Sequence, residues 1–179
     1  MATRKIIERG DETLGKVCRP VTSFDQRLHD LIDDMRETLD LANGYGLAAP
    51  QVGILRRVCL VMGSDGKVIE LVNPEILETA GEQEGFEGCL SVPGLYGWVK
   101  RPSWARVRAQ DRDGKFFEVE DVDMTARCFC HEIEHLDGHL FTERALDGKL
   151  YTEAEIDAMQ ESQEDQPGRG RRSKRRRGK

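Results

Sequence analysis

His131, Glu132 and His135 lie within Cys128-Phe129-Cys130-His131-Glu132-Ile133-Glu134-His135-Leu136, and their types and spacing suit metal chemistry if that stretch is helical. Residues four apart share one helix face, one turn above each other, so the two imidazoles stand side by side at a spacing that fits one metal ion. Glu132 follows about 100° around the helix and can reach a water at that metal. The pattern H-E-x-x-H therefore points to metal-assisted hydrolysis. Two other histidines are read as non-catalytic: His29 on a polar helix face, and His139 past the expected helix end.

A helix must hold this pattern, and one is predicted from Asp123, a good N-cap, to Gly138. Met124, Phe129, Cys130, Ile133 and Leu136 surround it with apolar side chains, so it should be buried, and its histidines and Glu132 then need partners inside. Residues 1–22 read as irregular, with Pro20 interrupting them. From Ser23, with Gln26 as its capping-box partner, Leu28, Leu31, Ile32, Met35 and Leu39 recur at helical steps until Asn43-Gly44. This N-terminal amphipathic helix is expected to be scaffold. A short C-terminal helix is expected from Thr152, boxed with Glu155, to about Gln163.

Beta-like segments fall at 57–62, 67–72, 97–101, 105–110 and 116–122, with Asp113-Gly114 reading as a hairpin turn. Strands that follow one another without intervening helices favour antiparallel or mixed pairing. The expected class is α+β, with mixed or antiparallel strands packed around the H-E-x-x-H helix. Two stretches resist assignment: Gly44-Tyr45-Gly46-Leu47-Ala48-Ala49-Pro50-Gln51-Val52-Gly53, read as a connection, and the glycine-flanked lone cysteine of Glu87-Gly88-Cys89-Leu90-Ser91.

With 179 residues the chain is long enough to bury a core, and 1–166 is read as a single domain. No apolar run approaches the roughly 20 residues needed to span a membrane, and 1–10 contain no signal core, so a cytoplasmic protein is expected. Five cysteines at irregular spacing are not a disulfide framework; Cys18, Cys59 and Cys130 are read as buried thiols. Net charge conceals an asymmetry. Removing the eight basic side chains of 168–179 takes the formal charge from −6 to −14, so the body is acidic. Segment 167–179 is expected to be a disordered basic tail.

Three separated stretches, Gly44-Tyr45-Gly46-Leu47-Ala48-Ala49-Pro50-Gln51, Glu87-Gly88-Cys89-Leu90-Ser91 and His131-Glu132-Ile133-Glu134-His135, resemble in order the three signature motifs of peptide deformylases, and the similarity runs from about Ile6 to Leu150. The resemblance implies removal of the formyl group from N-formylmethionine on newly made polypeptides. It implies a divalent metal on Cys89, His131 and His135, with Fe(2+) usual and Zn(2+), Ni(2+) or Co(2+) able to replace it. Glu132 would be the general acid/base. The Gln51 side chain and the Leu90 amide would face the oxyanion, and the Gly46 backbone would pair with a substrate bound as an added strand. An apolar methionine pocket is expected from Tyr45, Phe86 and Cys128. The protein is expected to act as a monomer away from membranes.

Two other readings use the same residues. A zinc endopeptidase also carries H-E-x-x-H but takes a third ligand downstream; His139 could serve only if the helix ran through Gly138. A nucleic-acid or ribosome-binding module is suggested by 168–179, whose density of Arg and Lys would bind phosphates with strong salt dependence. It is read either as an accessory placing the enzyme near ribosomal RNA or as a solubilising or intramolecularly screened tail.

Overall fold

The structure is a computed structural model and describes residues 2–164; the basic segment 167–179 lies outside them. Three α-helices and seven strands occur in the order α1 (Gln26–Ala42), β1 (Gly46–Ala48), β2 (Val58–Met62), β3 (Val68–Ala80), β4 (Gln83–Cys89), β5 (Val92–Arg101), β6 (Trp104–Gln110), β7 (Phe116–Val122), α2 (Asp123–Leu136) and α3 (Glu153–Glu164). The class is α+β. Five strands form one antiparallel sheet in the order β1-β2-β3-β6-β7, and β4-β5 form a separate antiparallel ribbon.

Residue pattern explains the layers. In β2 successive side chains point to opposite faces: Val58 and Leu60 pack with Leu31, Ile32, Met35 and Leu39 of α1, while Cys59 and Val61 pack with Ala126, Phe129, Ile133 and Leu136 of α2. A strand covered on both faces reads as a continuous apolar run, as Val-Cys-Leu-Val-Met does. Farther out, the solvent face of β3 and β6 carries Glu75–Arg108 and Glu78–Arg106 ion pairs, each 2.7 Å long. No helix among the described residues is long and apolar enough to cross a membrane.

Several boundaries differ from those expected. Helix α1 is capped not by Ser23 but by Asp25, whose carboxylate accepts from the amides of Arg27 and Leu28; Ser23 donates to the same carboxylate instead. The expected N-cap Asp123 is already the first helical residue, at φ 50°, and α2 ends at Leu136 with Gly138 at φ +83°. The connection after α1 contains β1 and a 3-10 turn, Ala49–Val52. Strand β3 continues well past 72 because Asn73 (φ 52°) and Pro74 form a bulge there, not an end. The Asn73 side chain secures that bulge through the Val21 amide and carbonyl and Gln110. Segment 97–101 is the end of the longer β5, and 84–94 is its hairpin with β4.

Although irregular, residues 2–9 are tightly tied. The Ala2 amide and Arg4 side chain bond Asp34 of α1, and the amides of Ile7 and Arg9 donate to the carbonyls of Gln51 and Ser91. One extended segment thus spans the two loops that precede the metal-type cluster.

Candidate metal centre and its cavity

The β4–β5 ribbon brings Cys89 against α2, where His131 and His135 occupy successive turns. Cys89 Sγ lies 3.2 Å from His135 Nε2, which lies 3.1 Å from His131 Nε2. Among the described residues this is the one group of three or more His, Cys, Asp or Glu side chains whose ligand atoms converge. Metal–nitrogen bonds of about 2.0–2.1 Å at a tetrahedral angle place two nitrogens about 3.3 Å apart, and a sulfur and a nitrogen slightly farther. The observed edges fit one ion. The donor set fits too: a thiolate and two imidazoles favour a transition metal or zinc over magnesium or calcium.

The surroundings treat the two imidazoles differently. Burial opposes a proton on His131, yet its hydrogen bonds with Cys89 and Glu87 outweigh burial and raise its pKa well above the usual range. Burial, with the neighbouring His131 charge, pushes His135 the other way. Glu87, 5% exposed, sits 2.6 Å from His131 Nδ1 and accepts from Arg101 and Arg127 at 2.7–3.1 Å. Burial alone would raise the Glu87 carboxyl, but those partners hold it well below the usual carboxylate range. A carboxylate on the second ring nitrogen fixes the tautomer and the orientation of a ligand histidine.

Cys89, His131, Glu87 and Arg127 line a cavity of about 660 Å³ that also receives Gln51, Glu132, Gly46 and Leu90. Gln51 is oriented by the Ala48 amide, which donates to its Oε1, leaving Nε2 to donate toward Cys89 Sγ at 3.3 Å and Ser91 Oγ at 3.2 Å. Glu132 is 4% exposed, its Oε2 has no partner, and burial pushes its pKa up to about 7 against the pull of His131. A carboxyl near neutrality suits a group that takes up and returns a proton. Gly46 is pressed against it: a Cβ at Gly46 would lie 2.4 Å from Glu132 Oε1.

The three expected pocket side chains also line this cavity. Cys128 is buried, and burial pushes its thiol up to about 12, so it packs as a neutral group. Phe86 stands edge-on to Trp98 and Tyr151, while Tyr45 is largely exposed at the rim. Cys18, Cys59 and Cys130 are buried free thiols. His139 is exposed and bonds Glu143, and His29 meets Arg112 and Asp113; neither joins the triad. The downstream histidine that an endopeptidase reading requires is therefore not at the centre.

Sequence reasoning assigned no role to Glu87, Arg101, Arg127 or Ser91. One signal was available, because Glu87 and Cys89 stand two apart and hence on one face of a strand. Helix α3 lies where a short surface helix is expected, but its sequence carries no sign that Glu153, Ile156, Asp157 and Gln160 line the cavity.

Comparison with known proteins matches this architecture. The family model for polypeptide deformylase matches residues 3–150. The curated peptide deformylase of Agathobacter rectalis is 51% identical over 144 residues, covering 80% of this chain and 90% of its own length. Peptide deformylase 1 of Bacillus anthracis is 50% identical over 145 residues, covering 80% and 93%. Among solved structures, a peptide deformylase from Legionella pneumophila superposes with a TM-score of 0.77 at 40% identity, covering 93% of this chain and 100% of that one. A Met-Ala-Ser-bound class I type b enzyme from Acinetobacter baumannii gives 0.75 at 35% identity, covering 80% and 98%. With a family model over most of its length, relatives near half identity and the same fold, the chain belongs to the peptide deformylase family.

Proposed function

We propose that this protein removes the formyl group from N-formylmethionyl peptides, releasing formate. The observation that carries the reading is the Cys89–His131–His135 triad, which presents Cys89 and His131 to a cavity shared with the buried Glu132, whose Oε2 has no partner. Membership of the family supports it, as does the Met-Ala-Ser held by the Acinetobacter relative, since a peptide beginning with methionine is the expected product.

Cys89, His131 and His135 would hold one divalent metal, Fe(2+) being the physiological choice we favour over Zn(2+), Ni(2+) or Co(2+). Such an ion supplies Lewis acidity and water activated toward hydroxide near neutral pH. The remaining chemistry belongs to the chain. Glu132 accepts the proton of the attacking water on its free carboxylate oxygen and hands it to the departing methionine amine. Gln51 Nε2 and the Leu90 amide donate to the formyl oxygen as negative charge develops there, each worth roughly 3 kcal/mol by comparison with other oxyanion donors. The Gly46 backbone, at the outer edge of β1, pairs with the extended substrate, and no side chain intrudes between it and Glu132. Glu87 holds the His131 ring in place. Tyr45, Phe86 and Cys128 line the apolar pocket for methionine.

The expected setting is the cytoplasm, in keeping with five free thiols and a site whose Cys89 would be open to oxidation. Segment 168–179 is proposed to hold the enzyme near ribosomal RNA; salt-sensitive co-sedimentation with ribosomes, lost when 168–179 are deleted, is the expected result. The decisive assay for the main reading is formate release from a formyl-Met peptide by anaerobically purified protein, with metal analysis alongside. Absence of formate from protein that carries one metal per chain would overturn the assignment.

A further inference from the structure

The two donors assigned to the formyl oxygen come from different sheets. Gln51 lies in the turn after β1, in the five-stranded sheet, whereas Leu90 lies at the tip of the β4–β5 ribbon. Among the described residues, the direct hydrogen bonds between turn 49–52 and residues 89–91 all come from one group. That group is Gln51 Nε2, 3.3 Å from Cys89 Sγ and 3.2 Å from Ser91 Oγ. It is also the group that must turn to the substrate. Once it donates to the formyl oxygen, the direct bridge weakens just when the spacing of the donors matters.

A second bridge is made of backbone alone. The Ile7 amide donates to the Gln51 carbonyl at 2.8 Å, and the Arg9 amide donates to the carbonyl of Ser91, the residue after Leu90, at 2.7 Å. Ser91 is fully buried and its amide donates toward Cys89 Sγ at 3.4 Å, so movement of its carbonyl is passed to its neighbours. The segment is anchored on α1, where the Arg4 amide donates to Thr38 Oγ1 at 2.9 Å and the Arg4 guanidinium pairs with Asp34 at 3.0 Å. Ile6 packs against the same core cluster as Leu90. None of the segment's own donors is assigned to the substrate or the metal.

We propose that residues 4–9 are a positioning strap, which through the Ile7 and Arg9 amides fixes the separation of the Gln51 and Leu90 donors while Gln51 is engaged with substrate. This rests on the deformylase reading above. Neither Ile7 nor Arg9 lines the cavity, so both act through the residues they hold. A misplaced oxyanion donor loses hold of the charge that develops in the transition state, while binding at the β1 edge and in the methionine pocket is untouched. The strap is therefore read in kcat and not in KM.

The test follows formyl-Met-Ala-Ser turnover by the full-length metal-loaded enzyme and by Ile7→Pro and Arg9→Pro, each of which deletes one strap donor. Glu8→Pro is the control, since the Glu8 amide makes no hydrogen bond among the described residues. In the first two variants kcat is expected to fall by about 10- to 100-fold with KM and metal content unchanged, and in Glu8→Pro by less than about twofold. On a Gln51→Ala background Ile7→Pro should cost little more, because the donor it positions is already gone. Thr38→Val removes the acceptor of the Arg4 amide, keeps the side-chain shape and should lower kcat by about threefold; it decides where a proline variant does not fold. Normal kcat in Thr38→Val and in the proline variants that fold overturns the inference. So does a loss as large in Glu8→Pro, a loss that multiplies in full on Gln51→Ala, or a loss explained by KM or by metal. Each of these leaves the deformylase reading intact as long as the unmodified enzyme releases formate; no formate from that enzyme removes both.

Discussion

Glu87 shows how one carboxylate can set the geometry of a site it does not react in. Its two oxygens meet His131, Arg101 and Arg127 in a buried cluster, and the His131 bond decides which ring nitrogen faces Cys89. Glu87→Gln should weaken metal binding by about 10- to 100-fold, as loss of a carboxylate behind a ligand histidine does elsewhere. It should also lower stability by about 3 kcal/mol, because buried Arg127 loses its counter-charge and Arg101 keeps only Glu134. Metal titration and thermal melts check the two effects separately. Glu132→Gln should behave in the opposite way, keeping metal stoichiometry while turnover falls about 10²- to 10⁴-fold, the usual share of a general acid/base. Near-normal turnover in that variant would remove Glu132 from the proton path. The H-E-x-x-H residues were legible because a helix repeat makes i, i+4 neighbours predictable. Glu87 was hidden among glycines, where only its two-residue offset from Cys89 betrayed it.

At the scale of elements, helices were easier to read than strands. Core-facing leucines mark α1, and the buried circumference of α2 is visible in its composition. Strand β1 was missed because three residues are too few to show alternation, and β3 was cut short because Asn73-Pro74 reads as a turn when it is a bulge. The β4–β5 ribbon was partly hidden because its glycines weaken any strand signature. Two close approaches give element-level predictions. At Gly138 (φ +83°) a Cβ would meet the Gly15 carbonyl 2.8 Å away, so Gly138→Ala should destabilise the end of α2 by about 2 kcal/mol or more in denaturant titration. At Gly46 the obstacle is Glu132 itself, so Gly46→Ala should cost activity far more than melting temperature. An equal loss of both would mean the contact is only structural.

For the whole molecule, acid stability follows from ion pairs that join distant elements. Glu70 of β3 receives Arg36 from α1 and Arg112 from the β6–β7 turn, at 2.6–2.8 Å. Burial would raise its carboxyl, but the two guanidinium groups outweigh burial and lower it. A depressed folded-state pKa contributes stability above the unfolded value of about 4.3 and loses it as pH falls through the folded value. Glu70→Gln should therefore lower the melting temperature at pH 7 by about 4–8 °C, for about 2 kcal/mol of charge-assisted bonding, and the gap should close below pH 4. A gap independent of pH would mean that shape, not charge, matters there. The tie made by residues 2–9 has a further consequence, for timing. Ile7 and Arg9 leave the ribosome early, yet their amides bond Gln51 and Ser91, which are made much later, on loops that still need α2 behind them. Competence is thus a late event in folding, governed by long-range closure and not by local helix formation. A chain trimmed of those residues should still fold its sheet and helices, yet mature slowly or incompletely into a working enzyme.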